Sequence, residues 1–493
     1  MPVLRAARGS PDVSQREVTL SRLSPIDASF LHLESASAHM NVGWSAIGTL
    51  PAGAERPTVH ALRETVAGRL QDVPRCRQRL QLHPLGLGEP HWVDDPAFDL
   101  DAHVVELGAP DEPLSLRRFE ELRDALLSTP LDRSRPLWQI ALAPRLEDGR
   151  MGVFGRVHHA MADGAAALQV VALGLDTDDE DAAPASSEPW RAEPTPGTAL
   201  RAVDPLVHGA ETTVRAVGDA AQAALRPRAS ARSLLRDAKR VVGALTHDLL
   251  PRAPDSQLNL ELGPRRTLIC HREPLDELSG AGSLNDVGLA VVAGALRALA
   301  LERGEPAQPL KALIPVDVRG LPEPGVLGNR VSLAAVWLPL HLSSPAARLA
   351  HVSAATDRFK RADRPAGVGR LLAGFGLLPS GLRRALLRAA APGAFNLSVS
   401  SIPGPRKPLY MLGACLDEVY PVVPIAEEQA LSIGMLRYHD HLHFGLHADP
   451  DALPQAARLP ELIADEVRAL GGEAQRERGQ SEAVPAHRTP VTS

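Results

Sequence analysis

The sequence contains little cysteine and little lysine. Its three cysteines, Cys76, Cys270 and Cys415, are odd in number and far apart, which excludes a disulfide framework or a cysteine-based metal motif. This usage fits a reducing compartment, and we expect a cytoplasmic protein. Lysine is almost entirely replaced by arginine, and with abundant alanine and proline this is typical of a GC-rich genome. Because the basic residues are dispersed and the net charge is -6, we expect no nucleic-acid partner.

Long apolar segments are also missing. No run of about 18 apolar residues occurs, so we expect no membrane-spanning helix. The first 22 residues carry arginines but no apolar core, so we expect no secretory signal.

The length predicts more than one domain, because 493 residues exceed what one compact core usually holds. Helical and strand patterns mix in both halves without strict alternation, which favours a mixed α/β (α+β) fold. A segment from Asp176 to Gly197 is acidic and then rich in proline, serine and alanine, as exposed linkers are. The predicted organisation is a disordered tail (1–20), an N-terminal domain (21–175), a linker with helices (176–260), a C-terminal domain (261–472) and a disordered tail (473–493).

The pattern of apolar residues places the main elements. Ser24 or Asp27 is suited to cap a short helix. Predicted helices cover 57–71, 114–127, 285–299, 345–361 and about 453–470. Predicted strands follow Met40, lie around Trp92, at 98–104 and before 143, and cover 266–272, 310–318, 328–338, 395–401, 415–423, 430–438 and 441–448.

A pair of adjacent histidines is the most informative motif. Glu147-Asp-Gly149 predicts a hairpin that feeds the strand Met151–Val157, and an alanine-rich helical segment follows from Ala165. Between them lies His158-His159-Ala-Met-Ala-Asp163-Gly164, an HHxxxDG pattern in a tight turn. A neutral imidazole can take a proton from a hydroxyl near neutral pH. The pattern therefore indicates catalysis.

Several blocks in one order resemble the bacterial wax ester synthase/acyl-CoA:diacylglycerol acyltransferases over roughly residues 20–470. The HHxxxDG pattern alone is shared with condensation domains and other coenzyme A-dependent acyltransferases, so the ordered set is the more specific signal. The blocks are Leu23–Glu34 with Met40–Gly43, Pro136-Leu137-Trp138, His158–Gly164, Asn285-Asp286, Arg319 with Gly328-Asn329, and Pro403-Gly404-Pro405.

The resemblance implies two chloramphenicol-acetyltransferase-like domains with a substrate channel between them. It implies transfer of a long-chain fatty acyl group from acyl-CoA to the hydroxyl of diacylglycerol, of a long-chain alcohol, or of both. Acyl-CoA is then a substrate, and we expect no cofactor and no metal.

The resemblance also distributes roles within the motif. His159, the histidine of the HxxxD core, is the expected general base, and His158 is expected to position the loop. Asp163 is expected to orient the loop, through an arginine or backbone amides, and Gly164 to allow close backbone approach. No GxSxG signature accompanies the pair, so direct transfer is favoured over an acyl-enzyme.

Two asparagines are further candidates, and one position departs from the family. Asn285 and Asn329 are substrate-binding candidates, with a helix N-cap as the alternative for Asn285. The family usually carries Ser-Asn where this chain has Ser400-Ser401, which bears on substrate preference.

Two other segments admit more than one interpretation. Alternate histidines at 439, 441, 443 and 447 could bind a metal, but without a nearby ligand set we expect solvated strand histidines. Residues 366–390 combine leucines with arginines, which suits peripheral contact with a membrane or lipid droplet, or equally an interior helix whose arginines reach water.

Two alternative functions remain open at this point. One is a condensation-type acyltransferase that acts on carrier-bound acyl chains or glycolipid hydroxyls. The other is a catalytically silent lipid-droplet or acyl-binding homologue.

Overall fold

The computed structural model describes residues 21–83, 89–109, 112–162, 164–176, 190–195, 197, 251–278, 282–317, 331–361, 378, 380–390 and 393–482. The helices are α1 (Pro25–Leu33), α2 (Val59–Arg69), α3 (Leu100–His103), α4 (Leu116–Leu127), α5 (Gly164–Ala172), α6 (Leu275–Leu278), α7 (Leu284–Glu302), α8 (Pro345–Arg361), α9 (Ser380–Ala390) and α10 (Leu459–Glu482). The strands are β1 (Ser21–Arg22), β2 (Asn41–Thr49), β3 (Gln78–Gln81), β4 (His91–Asp94), β5 (Val104–Glu106), β6 (Trp138–Ala143), β7 (Met151–His158), β8 (Thr267–Pro274), β9 (Leu310–Asp317), β10 (Val331–Leu338), β11 (Leu397–Pro403), β12 (Leu409–Met411), β13 (Ala414–Val422), β14 (Leu431–Tyr438) and β15 (His441–Ala448).

A six-stranded sheet carries the histidine pair. Its order is β12-β13-β2-β7-β6-β5, and its strands pair antiparallel except β5 with β6. The β6–β7 hairpin turns at Gly149, whose φ of 85° lies in the left-handed region that glycine adopts at no steric cost. The predicted hairpin is confirmed. Trp44, Trp138 and Val157 are buried on one side of this sheet and form much of its core.

A second six-stranded sheet has the order β10-β9-β11-β14-β15-β8. Helices α7, α8 and α10 pack against one another, and α7 and α8 also contact β10. The buried residues of α7 join those of β9, β14 and β15 in the largest apolar core. The mixed α/β class expected from the sequence is confirmed, and each of the two largest apolar clusters belongs mainly to one of the two large sheets.

The two sheets are not formed by two contiguous stretches of chain. Strands β12 and β13 lie far along the sequence, yet β13 pairs with β2 of the first sheet. A domain drawn as 261–472 therefore differs from the structure, since residues 409–422 complete the sheet that holds the histidines.

Helix α7 is the one described helix long and apolar enough to meet a simple membrane-span criterion. Within the protein, 67% of its most apolar window is buried. It packs against α8 and α10 in the core of the second sheet, as core helices of globular proteins do.

Three local predictions are wrong. The segment 98–104 forms the short helix α3 before β5, because Asp99 caps it through the amide of Asp101 and the ring of His103 stacks on Trp138. The predicted C-terminal tail begins too early, since α10 continues to Glu482. The predicted end of that helix near 470 misses this extension. The predicted tail 1–20, the helices within 198–250 and most of the linker lie outside the described residues.

Candidate active site

The histidine turn begins where β7 ends. His158 is the last residue of the strand, and its amide donates at 2.9 Å to the carbonyl of Leu137, the residue just before β6. The amide of His159 donates to the carbonyl of Met40 at 2.7 Å, and that of Met161 returns to the carbonyl of His158 at 2.8 Å. The backbone of both histidines is thus fixed by the strands on either side.

The ring of His158 is buried and its tautomer follows from its contacts. Its Nδ1 accepts a hydrogen bond from the amide of Ala160 at 3.0 Å. Because an amide only donates, the proton of the neutral ring lies on Nε2. That nitrogen faces Oε1 of Glu34 at 3.4 Å, a long electrostatic contact rather than a tight hydrogen bond.

Glu34 is held in turn by Arg133. The Nε of Arg133 donates to Oε2 of Glu34 at 2.9 Å, and a second guanidinium nitrogen donates to the same oxygen. Arg133 also donates to the carbonyl of Leu31 at 3.3 Å. Burial raises the pKa of Glu34, but its interactions with His158 and Arg133 outweigh that effect and hold the pKa below its ordinary value.

His159 is half-buried and stacks on Phe30. The two rings are nearly parallel, with an interplanar angle of 7° and centroids 3.8 Å apart. Phe30 lies on α1, one helical turn before Glu34. The end of α1 therefore contacts both histidines, with Phe30 against His159 and Glu34 against His158.

A cavity of about 350 Å³ adjoins this arrangement. Its lining includes Glu34 and Met40, which contact the histidine turn, and the charged or polar side chains of His32, Arg388 and Glu427. A second cavity of similar volume is lined by Asp255, Gln257, Arg303 and others, and shares no lining residue with the turn. The first cavity therefore lies against residues that hold the histidine turn, although its lining includes neither histidine.

Asn41 lies opposite His158 in the register of β2 and β7. The neighbouring pair, His159 and Met40, shares a backbone hydrogen bond. Asn41 and His158 are therefore a non-hydrogen-bonded pair, in which the two side chains lie closer together. Asn41 is buried, and neither its Nδ2 nor its Oδ1 has a hydrogen-bond partner among the described residues. A buried amide beside the histidines is an additional candidate for the site.

Arg156 stabilises β7 two residues before the turn. It is buried and donates to Oε1 of Gln139 and to the carbonyl of Thr129. Burial lowers its pKa to about 10.

The structure places the other predicted site residues as follows. Gly164 begins α5, directly after the turn. Asp163 and Asn329 lie outside the described residues. Asn285 is not the N-cap of α7, because Oγ of Ser283 accepts the amide of Asp286 at 3.2 Å and fills that role. The N-cap alternative for Asn285 is therefore wrong, and its Nδ2 lies 3.4 Å from Oδ1 of Asp286.

Two positions from the family-related blocks, Ser401 and Gly404, lie on β11 and directly after it. Ser401 is exposed on β11, opposite Met435 of β14. A Cβ at Gly404 would overlap the carbonyl oxygen of Arg437, so only glycine fits there.

The expectation that the late histidines are solvated is wrong for two of them. His443 and His447 are 1% and 4% exposed. Burial lowers the pKa of His443 to about 3 and that of His447 to about 4. Across the described part of the chain, no group of three or more histidine, cysteine or acidic residues could hold a metal ion.

Sequence reasoning did not assign Glu34, Arg133, Phe30 or Asn41. Phe30 and Glu34 stand in the N-terminal block, and Asn41 stands in the next one. The residues that they contact in the structure are more than 90 positions further along the chain. The one available signal was that Phe30, Glu34 and Asn41 stand inside blocks that resemble the family.

The mixed α/β fold and the histidine turn fit the acyltransferase class that the sequence blocks indicated. Residues 23–292 match the wax ester synthase/diacylglycerol acyltransferase catalytic domain, and residues 327–471 match the C-terminal domain of the same proteins. The chain belongs to the wax ester synthase/diacylglycerol acyltransferase family, as the resemblance indicated.

Relatives and solved structures agree with this assignment. The Mycobacterium tuberculosis protein described as a probable diacylglycerol O-acyltransferase, tgs1, is 30% identical over 465 residues, covering 92% of this chain and 96% of the relative. The tgs2 protein of the same species is 30% identical and covers 91% of this chain and 98% of the relative.

The wax ester synthase/diacylglycerol acyltransferase from Marinobacter aquaeolei VT8 has a similar structure, with a TM-score of 0.65, 25% identity and coverage of 92% of this chain and 100% of that one. The starter condensation domain of rhizomide synthetase, solved with C8-CoA and Leu-SNAC, has a TM-score of 0.56 at 16% identity, covering 92% of this chain and 95% of that one. At that identity the second likeness shows the fold alone.

Proposed function

We propose that the protein transfers a long-chain acyl group from acyl-CoA to the hydroxyl of diacylglycerol, with His159 as the general base. The observation that carries the proposal is the position of His159. It follows a fixed strand end, stacks on Phe30 and donates its amide to Met40, which lines a cavity. The family of this chain consists of acyltransferases. Relatives described as diacylglycerol O-acyltransferases support the choice of acceptor.

The proposed reaction is a direct transfer. His159 takes the hydroxyl proton as the acceptor oxygen attacks the thioester carbonyl, and the carbon–oxygen bond forms while the carbon–sulfur bond breaks. The imidazolium then returns the proton to the departing thiolate of coenzyme A. Positioned general base catalysis contributes roughly 10²–10⁴-fold. His158, whose nitrogens engage Ala160 and Glu34, holds the loop, and we assign no proton transfer to it.

Coenzyme A release from palmitoyl-CoA tests this function. We expect release with dioleoylglycerol, and we expect His159→Ala to reduce it by about 100-fold or more. His60→Ala, which alters an exposed histidine on α2, is the matched control and should leave the rate unchanged.

Other outcomes would select among the alternatives. Release with hexadecanol as well would extend the acceptors to long-chain alcohols. Transfer from carrier-bound acyl chains only would support a condensation-type enzyme. No release above the His159→Ala level with any acceptor would leave a silent acyl-binding protein.

We further propose that α9 contacts an anionic membrane or lipid droplet at the cytoplasmic side. Leu382 and Leu386, one turn apart, are 48% and 44% exposed, and the exposed Arg384 and Arg388 flank them. Arg383 points inward, pairs with Glu89 and donates to the carbonyl of Leu378. An apolar strip bordered by arginines suits the surface of a bilayer with negative headgroups.

Vesicle flotation tests this contact. The protein should float with vesicles that contain phosphatidylglycerol and float less with pure phosphatidylcholine. Leu382→Ser combined with Leu386→Ser should reduce flotation, whereas Leu301→Ser, an exposed leucine at the end of α7, should not. Equal flotation of both variants would place the contact elsewhere.

A further inference from the structure

We propose that Glu34 is a positioning residue for the transfer, holding the histidine turn in its reactive conformation with Arg133 as its support. The inference rests on the proposed function, because His159 is taken as the base. Glu34 touches no reacting atom in this scheme, and it acts through His158.

His158 links Glu34 to the histidine turn. His158 joins two contacts, because its Nδ1 accepts the amide of Ala160 and its Nε2 faces the carboxylate of Glu34. Ala160 directly follows His159. The carboxylate favours the Nε2–H tautomer, and only that neutral tautomer leaves Nδ1 free to accept the amide.

Glu34 is itself held in place by Arg133. Its side chain is 8% exposed, and Arg133 engages one of its oxygens with two nitrogens. Arg133 also reaches the carbonyl of Leu31, which fixes the carboxylate relative to α1. Since Phe30 on the same helix stacks on His159, movement of Glu34 would disturb both histidines together.

Several charged or titratable groups surround Glu34. The charged or titratable groups facing Glu34 are His158 of β7 and Arg133, and His32, Arg388 and Glu427 share its cavity. Burial and the neighbouring arginines Arg383, Arg384, Arg388 and Arg133 lower the pKa of His32 to about 4. His32 is therefore neutral at working pH, and Arg133 is the cation in direct contact with Glu34.

Removal of the carboxylate gives the test. Glu34→Ala should lower kcat by about 100-fold, as misplacement of a catalytic group by about 1 Å can, with KM for palmitoyl-CoA little changed. Because Glu34 lines the cavity, added acetate should enter the space left and restore part of kcat. Glu34→Gln, which keeps an oxygen for Nε2–H, should lose less activity than Glu34→Ala and guards against a variant that fails to fold.

A control variant separates a positioning role of Glu34 from the general effect of breaking an arginine–glutamate pair. Glu302→Ala breaks another arginine–glutamate pair, with Arg458 at 2.9 Å, and should change neither kcat nor the response to acetate. The proposal would be overturned by full activity of folded Glu34→Ala, by a loss in that variant that acetate does not relieve, or by a folded Glu34→Gln protein as inactive as Glu34→Ala.

A readout independent of acyl transfer keeps this inference distinct from the proposed function. In protein with ¹⁵N-labelled histidine, the nitrogen shifts of His158, assigned with His158→Asn, should show the Nε2–H tautomer, and Glu34→Ala should mix the tautomers. Unchanged shifts would overturn the role of Glu34 even if wild-type protein released no coenzyme A. A wild type without release but with the expected shifts would overturn only the proposed function.

Discussion

At the scale of single residues, the two adjacent histidines have different surroundings. Both nitrogens of His158 are directed at protein groups, the amide of Ala160 and the carboxylate of Glu34. The ring of His159 is half-buried and stacks on Phe30. This difference predicts different consequences when each is replaced.

Replacement of His158 should weaken the fold and the turn but leave some chemistry. His158→Asn keeps an oxygen near the position of Nδ1 for the amide of Ala160, whereas His158→Gln keeps only a donor toward Glu34. Each should cost about 1–3 kcal/mol of unfolding free energy, because a buried partner is left unsatisfied. Urea unfolding and kcat measure the two effects, with His60→Asn as the exposed control.

We expect His158→Asn to retain more activity than His159→Ala. A folded His158→Asn protein as inactive as His159→Ala would mean that His158 takes part in the chemistry.

The histidine turn could be located from the sequence because its residues are contiguous and follow a strong strand pattern. Glu34 and Arg133 could not be paired in this way, because 99 residues separate them and nothing in local periodicity reports such contacts. The N-cap alternative for Asn285 was wrong because the serine two positions earlier caps the helix equally well by residue type.

At the scale of elements, the strands β2 and β7 set the position of the turn, and their close approach depends on small residues. A Cβ at Gly155 would overlap the indole of Trp44, which is buried across the pair. Gly155→Ala should therefore destabilise the protein by about 1–3 kcal/mol and shift tryptophan fluorescence.

Gly68→Ala is the control for that substitution. A Cβ added at Gly68 would meet no atom outside its own helix backbone within 4 Å. Because Gly68 lies in α2 and glycine is less favourable than alanine in a helix, the change should stabilise the protein by about 0.5–1 kcal/mol. Equal stability of the two variants would show that β2 and β7 can separate without cost.

Elements with strong periodicity were predictable from the sequence. The predicted helix 345–361 and the strand 441–448 have the bounds observed for α8 and β15. The short helix α3 was not predictable, because its conformation depends on tertiary contacts: Nδ1 of His103 bonds the carbonyl of Trp138 at 2.8 Å.

At the scale of the whole molecule, buried neutral histidines should make the fold sensitive to acid. The folded pKa values of His443, His447 and His32 are about 3, about 4 and about 4, below the value of 6.5 expected when unfolded. The unfolded chain then binds protons first. The stability they contribute is present above pH 6.5 and is lost as pH falls toward 4.

Thermal unfolding between pH 7 and pH 4 measures this loss. His443→Phe, which removes one such group from a site lined by Tyr420 and Tyr438, should flatten the dependence of Tm on pH. His60→Gln should not alter it, since that histidine is exposed. An unchanged slope for His443→Phe would contradict the assigned cause.

The crossing of β13 into the first sheet has a consequence for synthesis and folding. Thr49 of β2 bonds Asp417 of β13, 368 residues further along the chain. While the polypeptide emerges from the ribosome, the edge of β2 that faces away from β7 has no neighbouring strand until β13 has been made. Pairing between strands so far apart in sequence is slow to form. A nascent or truncated N-terminal half would expose this edge to aggregation. We therefore expect the sheet that carries the histidines to be completed late in folding, and the halves should not fold when expressed apart.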